Sequence, residues 1–183
     1  TKQAGMTNYY ALLGLPESLS PDPASIESSW RAQSGTAAGA DAGPNEARAT
    51  LSDPVTRLAH WLALRSPEGT ADRTIAPVLM DLFSKISPTI ETTDALLSRH
   101  RKATTALARA VLTKEAIAAQ LQIQALLQQI QPLRDAIVNQ FPEFETNATR
   151  GDFQKAFQAL GQLKFLKRWE MQCRERLLSL IAC

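Results

Sequence analysis

Cysteine is nearly absent: Cys173 and Cys183 are the only two. Neither belongs to a Cys-x-x-Cys pair. A single helix carrying both would hold them roughly 15 Å apart at 1.5 Å rise per residue, too far to bridge. This usage predicts a reducing compartment. Histidine is as scarce, with only His60 and His100. A metal site needs three or four convergent donors, and no such spacing links either histidine to a ligand partner. Both read as helix-surface residues, and no metal is expected. The glycines of Gly35–Gly43 are not followed by Lys-Ser/Thr, so no phosphate loop is present. No serine elbow, carboxylate-pair pocket or Cys–His arrangement can be assembled. The pattern predicts a binding protein without catalytic residues or cofactors.

Long apolar runs are also missing, and none approaches the roughly 20 residues needed to cross a bilayer. The first residues lack the charged-then-apolar pattern of a secretory leader. Net charge is +2, too small to imply nucleic acid without a concentrated basic face. The nearest group, Lys164, Lys167, Arg168, Arg174 and Arg176, reads as a solvated helix face. These features predict a soluble, cytoplasmic protein that binds neither nucleic acid nor membrane. The oligomeric state is not fixed by the sequence. Hydrophobic residues make up 44% of the chain, enough for a core that would bury roughly 70% of the unfolded surface.

No strand alternation occurs, and the signals that are present are helical. Thr7 or Asn8 caps a short helix that ends at Gly14. Asp22-Pro23 opens a second helix to about Ser34, because an N-cap beside a first-turn proline satisfies the free amides. Gly35–Gly43 has no periodicity and is expected to form a flexible loop. Helix returns at Pro44, runs through Asn45–Leu51, and reopens at Asp53-Pro54 through Leu64. Ser66–Gly69 reads as a linker turn. Beyond it, Ile75–Ile86 forms one segment and Ser87-Pro88 signals a new start. Thr89 to Phe141 is one long helix or two, with a break near Thr113. Within it, Ile123, Leu126, Ile130, Leu133, Ile137 and Phe141 make a one-sided stripe, and Pro132 is expected to kink or interrupt it. Phe141 to Gly151 reads as a break, and Asp152 caps the last helix. That helix carries the stripe Ala156, Leu160, Leu163, Leu166, Cys173, Leu177 and Leu180. The sum is an all-α protein with a short-helix unit over 1–66 and an elongated helical bundle over 72–183.

One row departs from the core pattern. Phe157, Gly161, Phe165 and Trp169 recur every fourth residue beside the last stripe. They form either a widened core or a partner-facing patch with a groove at Gly161. Leu79-Met80 with Leu82-Phe83 makes a second apolar cluster, of which at most two side chains can face outward.

These pieces resemble the HscB family of J-domain co-chaperones. Asn8-Tyr9-Tyr10-Ala11-Leu12-Leu13-Gly14-Leu15-Pro16 is similar to the opening of that family. Asn45-Glu46-Ala47, Thr50-Leu51, Pro54, Arg57 and Trp61-Leu62 resemble its third J-domain helix and the segment leaving it. Leu79-Met80 resembles the pair that opens its C-terminal domain, and Leu163-Lys164-Phe165-Leu166 the motif of its last helix. The matches keep their order. The resemblance implies a J-like domain followed by an antiparallel bundle, and a role in iron–sulfur cluster assembly. It implies an IscU-like scaffold as partner, contacted through Leu79, Met80, Phe83 and Phe165, with Phe157 and Trp169 as weaker candidates.

The departures change what is expected. The family's His-Pro-Asp, which engages an Hsp70-class chaperone, has no counterpart between Gly35 and Pro44. Arg31 is the only cation of the second helix, with Glu27 one turn earlier, so steering toward an acidic chaperone surface is weak. Arg31, Gly35 and Pro44 thus mark a degenerate chaperone-contact region, and ATPase stimulation is expected to be weak or lost. Acidic scaffold contacts of the family fall here on Ser84 and Ser87. Roughly 25 extra residues lie between Met80 and Phe165, enough for a longer hairpin or an added helix. The alternative is a diverged helical adaptor that keeps the fold and binds a different protein.

Overall fold

Asn8 starts the first helix as its chemistry dictates: its Oδ1 accepts the amides of Tyr10 and Ala11. Gly14 ends that helix in the left-handed region at φ 66°, where a side chain would be strained. The structure, a computed structural model, describes residues 6–34 and 42–182. All regular structure among them is α-helix: α1 (Tyr9–Leu13), α2 (Pro23–Ser34), α3 (Ala42–Ser52), α4 (Pro54–Arg65), α5 (Pro77–Lys102), α6 (Ala106–Val138), α7 (Phe141–Ala148) and α8 (Gln154–Ile181). Most of the expected Gly35–Gly43 loop lies outside the described residues. The helix after it begins at Ala42, two residues before Pro44.

Several boundaries follow the predicted caps. Asp53 accepts the amides of Val55 and Thr56 at the start of α4, and Asp152 accepts that of Gln154 at the start of α8. Other boundaries differ. No helix starts at Ser87-Pro88, because α5 runs through Pro88. Its own first-turn proline is Pro77. The break in the long segment falls at Ala103–Thr105, about ten residues before Thr113: Ala103 is extended, and the Thr105 hydroxyl accepts the Ala108 amide. Pro132 lies inside an uninterrupted α6. The stretch expected as a break after Phe141 is instead α7. Pro142 occupies its first turn, Glu143 favours its positive end, and Phe141 and Phe144 are buried.

The helices fall into two compact units, Thr1–Asp72 with Ile137–Leu160, and Arg73–Ala136 with Gly161–Cys183. The units are therefore not the two continuous segments 1–66 and 72–183. Specific contacts bring Ile137–Leu160 to the first unit. Glu145 accepts the Leu19 amide at 2.5 Å, Phe153 lies 6.1 Å from Trp61, and Phe157 accepts the Asp72 amide at 3.3 Å. A Cβ on Gly69 would overlap the Phe157 ring, so this approach requires glycine.

The first unit buries Tyr10, Leu13, Leu19, Leu51, Leu58, Trp61, Leu62, Phe141 and Phe144. Arg57 sits beneath this core. It donates through Nε to the Leu19 carbonyl at 2.9 Å and through Nη1 to the Leu51 carbonyl at 2.6 Å. Burial lowers its pKa.

In the second unit, α5 and α6 are joined at Ala103–Thr105, and α8 packs with both. Arg99 pairs with Glu115, Arg176 with Asp94, and Arg134 with Glu170. Gln120 donates to the Leu180 carbonyl. The interior is built from Leu79, Leu82, Ile86, Leu96, Leu112, Ile123, Leu126, Ile130, Leu163, Leu166 and Cys173. The predicted stripes of α6 and α8 thus supply about half of it, and α5 much of the rest. Burial also pushes the Cys173 thiol up, which keeps it protonated and unreactive.

Candidate protein-binding surface

Within the second unit, α5 presents Met80 and Phe83 one turn apart on an outward row. Their exposures are 49% and 38%. Leu79 and Leu82 face the opposite way and are buried. Only two of the four side chains in the Leu79–Phe83 cluster therefore reach the surface, and Leu79 acts from inside by holding the helix in place.

From α8, Trp169 packs its ring 5.9 Å from Phe83 and stacks on Phe165 at 5.9 Å. Phe165 is half-buried, and Trp169 is buried. The i and i+4 spacing of Phe165 and Trp169 puts them on one helix row, which explains the stacking. The result is a continuous apolar strip across α5 and α8: Met80, Phe83, Trp169, Phe165. Trp169 forms its floor. Rings offset in this way attract beyond their buried area, by about 0.5–1.5 kcal/mol per pair. These ring contacts help hold Phe83 and Phe165 in place over Trp169. Beside it, Ser84 donates to the Asp81 carbonyl and Lys85 pairs with Asp81 at 2.6 Å.

Phe157 is not part of this strip. It belongs to the first unit, against Gly69. Gly161 is buried and opens no groove. The structure thus unites Met80, Phe83, Phe165 and Trp169, and places Phe157 against Gly69 within the first unit.

The degenerate chaperone-contact residues are less coherent. Arg31 is exposed in the last turn of α2. Glu27, expected beside it, pairs instead with Arg48 of α3 at 2.6 Å. Pro44 is buried within α3. Gly35 lies outside the described residues.

His60 corrects the sequence reading most clearly. It is not a helix-surface residue: its exposure is 7%. Its Nε2 accepts the Tyr9 amide at 3.1 Å, and its ring stacks on Tyr9 and Tyr10 at 4.7 and 5.8 Å. An acceptor at Nε2 requires the neutral ring with its proton on Nδ1. Burial lowers its pKa in the same direction. His60 therefore anchors α1 to α4. Sequence reasoning missed this because a single histidine in an apolar helix carries no spacing signal. The available hint was its place beside Trp61 and Leu62. Among the described residues, no three His, Cys, Asp or Glu side chains converge to hold a metal ion, and no helix is long and apolar enough to cross a membrane.

Among solved structures, the chain is similar to the chaperone HscB from Vibrio cholerae. Identity is 20%, coverage is 92% of this chain and 96% of that chain, and the TM-score is 0.49. No family model matches the chain, and no curated protein matches it. A likeness at this level of identity and superposition assigns no residue a role.

Proposed function

We propose that this chain is an HscB-like binding protein of iron–sulfur cluster assembly that presents the α5–α8 strip to an IscU-like scaffold protein in the cytoplasm. It works by holding a partner and makes no bond itself. The observation that supports this reading is the strip: Met80 and Phe83 are exposed and Phe165 half-buried over a fixed Trp169 floor. Aromatic anchors backed by a rigid layer are where interface energy concentrates. Met80 adds a side chain that adapts to an irregular partner surface. In the proposed complex Leu79 contributes by position rather than by contact.

Phe165→Ala is expected to weaken scaffold binding by about 2 kcal/mol, or roughly 30-fold, in a calorimetric titration of the full chain. An unchanged affinity with an intact helical spectrum overturns the assignment of Phe165. Stimulation of an Hsp70-class ATPase is expected to be slight, since no His-Pro-Asp exists and Arg31 is the single cation of α2. Activation of more than several-fold overturns that part.

The second reading, a diverged adaptor, is favoured by one local fact. The positions where the family carries acidic scaffold contacts hold Ser84 and Ser87, and the Ser84 hydroxyl is turned to the Asp81 carbonyl. A pull-down that recovers neither scaffold nor chaperone while Phe165→Ala abolishes capture of another defined protein would select it.

A further inference from the structure

Helix α6 has a second apolar face that no element of its unit covers. Leu107, Val111, Ile117 and Leu121 are 77%, 52%, 53% and 63% exposed. At 100° per residue they fall within about 120° of one another, opposite the buried row Leu112, Ala116, Ile123 and Ile130. The exposed row runs about 21 Å along the helix at 1.5 Å per residue. Its upper half lies in a basic setting. From residue 99 to residue 115 the chain carries Arg99, Arg101, Lys102, Arg109 and Lys114 against the single carboxylate Glu115. Arg99 neutralises that carboxylate at 2.8 Å. Arg101, Lys102 and Lys114 are exposed and have no carboxylate partner among the described residues. Beside them is a shallow depression of about 460 Å³ lined by Arg99, Lys102, Val111 and Leu112, with cations on its rim and aliphatic carbon on its wall.

Lys114 decides between occupants. It sits seven residues from Leu107 and seven from Leu121, in the middle of the row. A second copy paired along this row, parallel or antiparallel, would set Lys114 against Lys114, and like charges facing each other are unfavourable. A helix lying on anionic lipid carries Lys and Arg along its length. Here no cation follows Lys114 until Arg134, and glutamines replace them. The pattern fits a helix that brings apolar side chains to both halves of the row and a carboxylate to its centre, with further acids toward the hairpin end.

We propose that the outer face of α6, with the basic end of the α5–α6 hairpin, is a docking surface for an acidic amphipathic helix of a protein partner, separate in its residues from the Met80–Phe165 strip. The test uses the full chain and a fluorescein-labelled helix-forming peptide. The peptide has leucines spaced as Leu107, Val111, Ile117 and Leu121, a glutamate at its centre and glutamates flanking one end. A control peptide carries lysine at every glutamate.

Anisotropy should show binding of the acidic peptide that weakens as salt is raised, with the lysine peptide at least ten-fold weaker. The pair Leu107→Ser with Val111→Ser, and separately Lys114→Glu, should each lower affinity at least five-fold. Both change exposed side chains only, and a circular-dichroism melt checks that the fold is kept. Phe165→Ala should leave peptide binding unchanged, so failure here is distinct from failure of the scaffold reading. No binding of the acidic peptide, equal binding of both peptides, or unaltered binding by the variants overturns the proposal. So does sedimentation with phosphatidylcholine–phosphatidylglycerol vesicles that needs these residues while no peptide binds. Dimerisation abolished by the Leu107–Val111 pair would give the face to a second copy and overturn it as well.

Discussion

In the first unit, polar groups reach inward. Arg57 supplies the Leu19 and Leu51 carbonyls, His60 takes the Tyr9 amide, and Glu145 takes the Leu19 amide. In the second unit the interior is mainly apolar, with Thr93 its buried hydroxyl, and the charged pairs Arg99–Glu115, Arg176–Asp94 and Lys85–Asp81 lie toward the surface. Two helical assemblies from one chain thus use different means of holding shape. One relies on a few desolvated hydrogen bonds, each expensive to leave half made. The other relies on area, which is forgiving of any single polar change and leaves outer faces free to be apolar.

The largest expected effect tests the first half of this contrast. Arg57→Met strips the Leu19 and Leu51 carbonyls of their donor and should cost about 3 kcal/mol in denaturant unfolding. A loss below ~1 kcal/mol would show that the inward arginine is dispensable. Asp53→Ala removes the cap of α4, which accepts two amides, and should cost about 1 kcal/mol by the same measurement.

A pH effect comes next. His60 has its pKa lowered by burial in the folded chain, so the unfolded chain takes up its proton first. The stability it supports is complete above the unfolded value of about 6.5 and declines as pH falls below it. A pH series of melting temperatures should show this decline, and His60→Gln should flatten it. A series unchanged by that substitution would remove His60 from the anchoring role. The smallest effect belongs to the second unit. Arg176→Gln breaks a pair with a half-exposed Asp94 and should cost only about 0.5 kcal/mol.

The same contrast explains what could be read from the chain beforehand. Caps and stripes are local, so Asn8, Asp22-Pro23, Asp53-Pro54 and Asp152 located helix starts, and the α6 and α8 stripes located about half of the second unit's core. The proline signals failed where position mattered more than type. Pro88 and Pro132 lie within helices that neighbouring packing keeps intact, while Pro142 starts α7 because Phe141 and Phe144 are drawn into the first unit's core. Of the candidate surface, Met80, Phe83, Phe165 and Trp169 were legible as residues, but not their joining into one strip, since that depends on the register of α5 against α8. The roles of Arg57 and His60 were hidden for the same reason: their partners lie 38 and 51 residues away.

The return of Ile137–Leu160 to the first 72 residues has a consequence for how the chain is made. As it leaves the ribosome, the segment ending at Asp72 still lacks Phe141, Phe144 and Glu145. At roughly 5–20 residues per second it must wait several seconds for them. During that interval Trp61 and Tyr10 have no finished cavity to enter. The nascent segment up to Asp72 is thus itself exposed to chaperone capture and to proteolysis until Ile137–Leu160 has emerged.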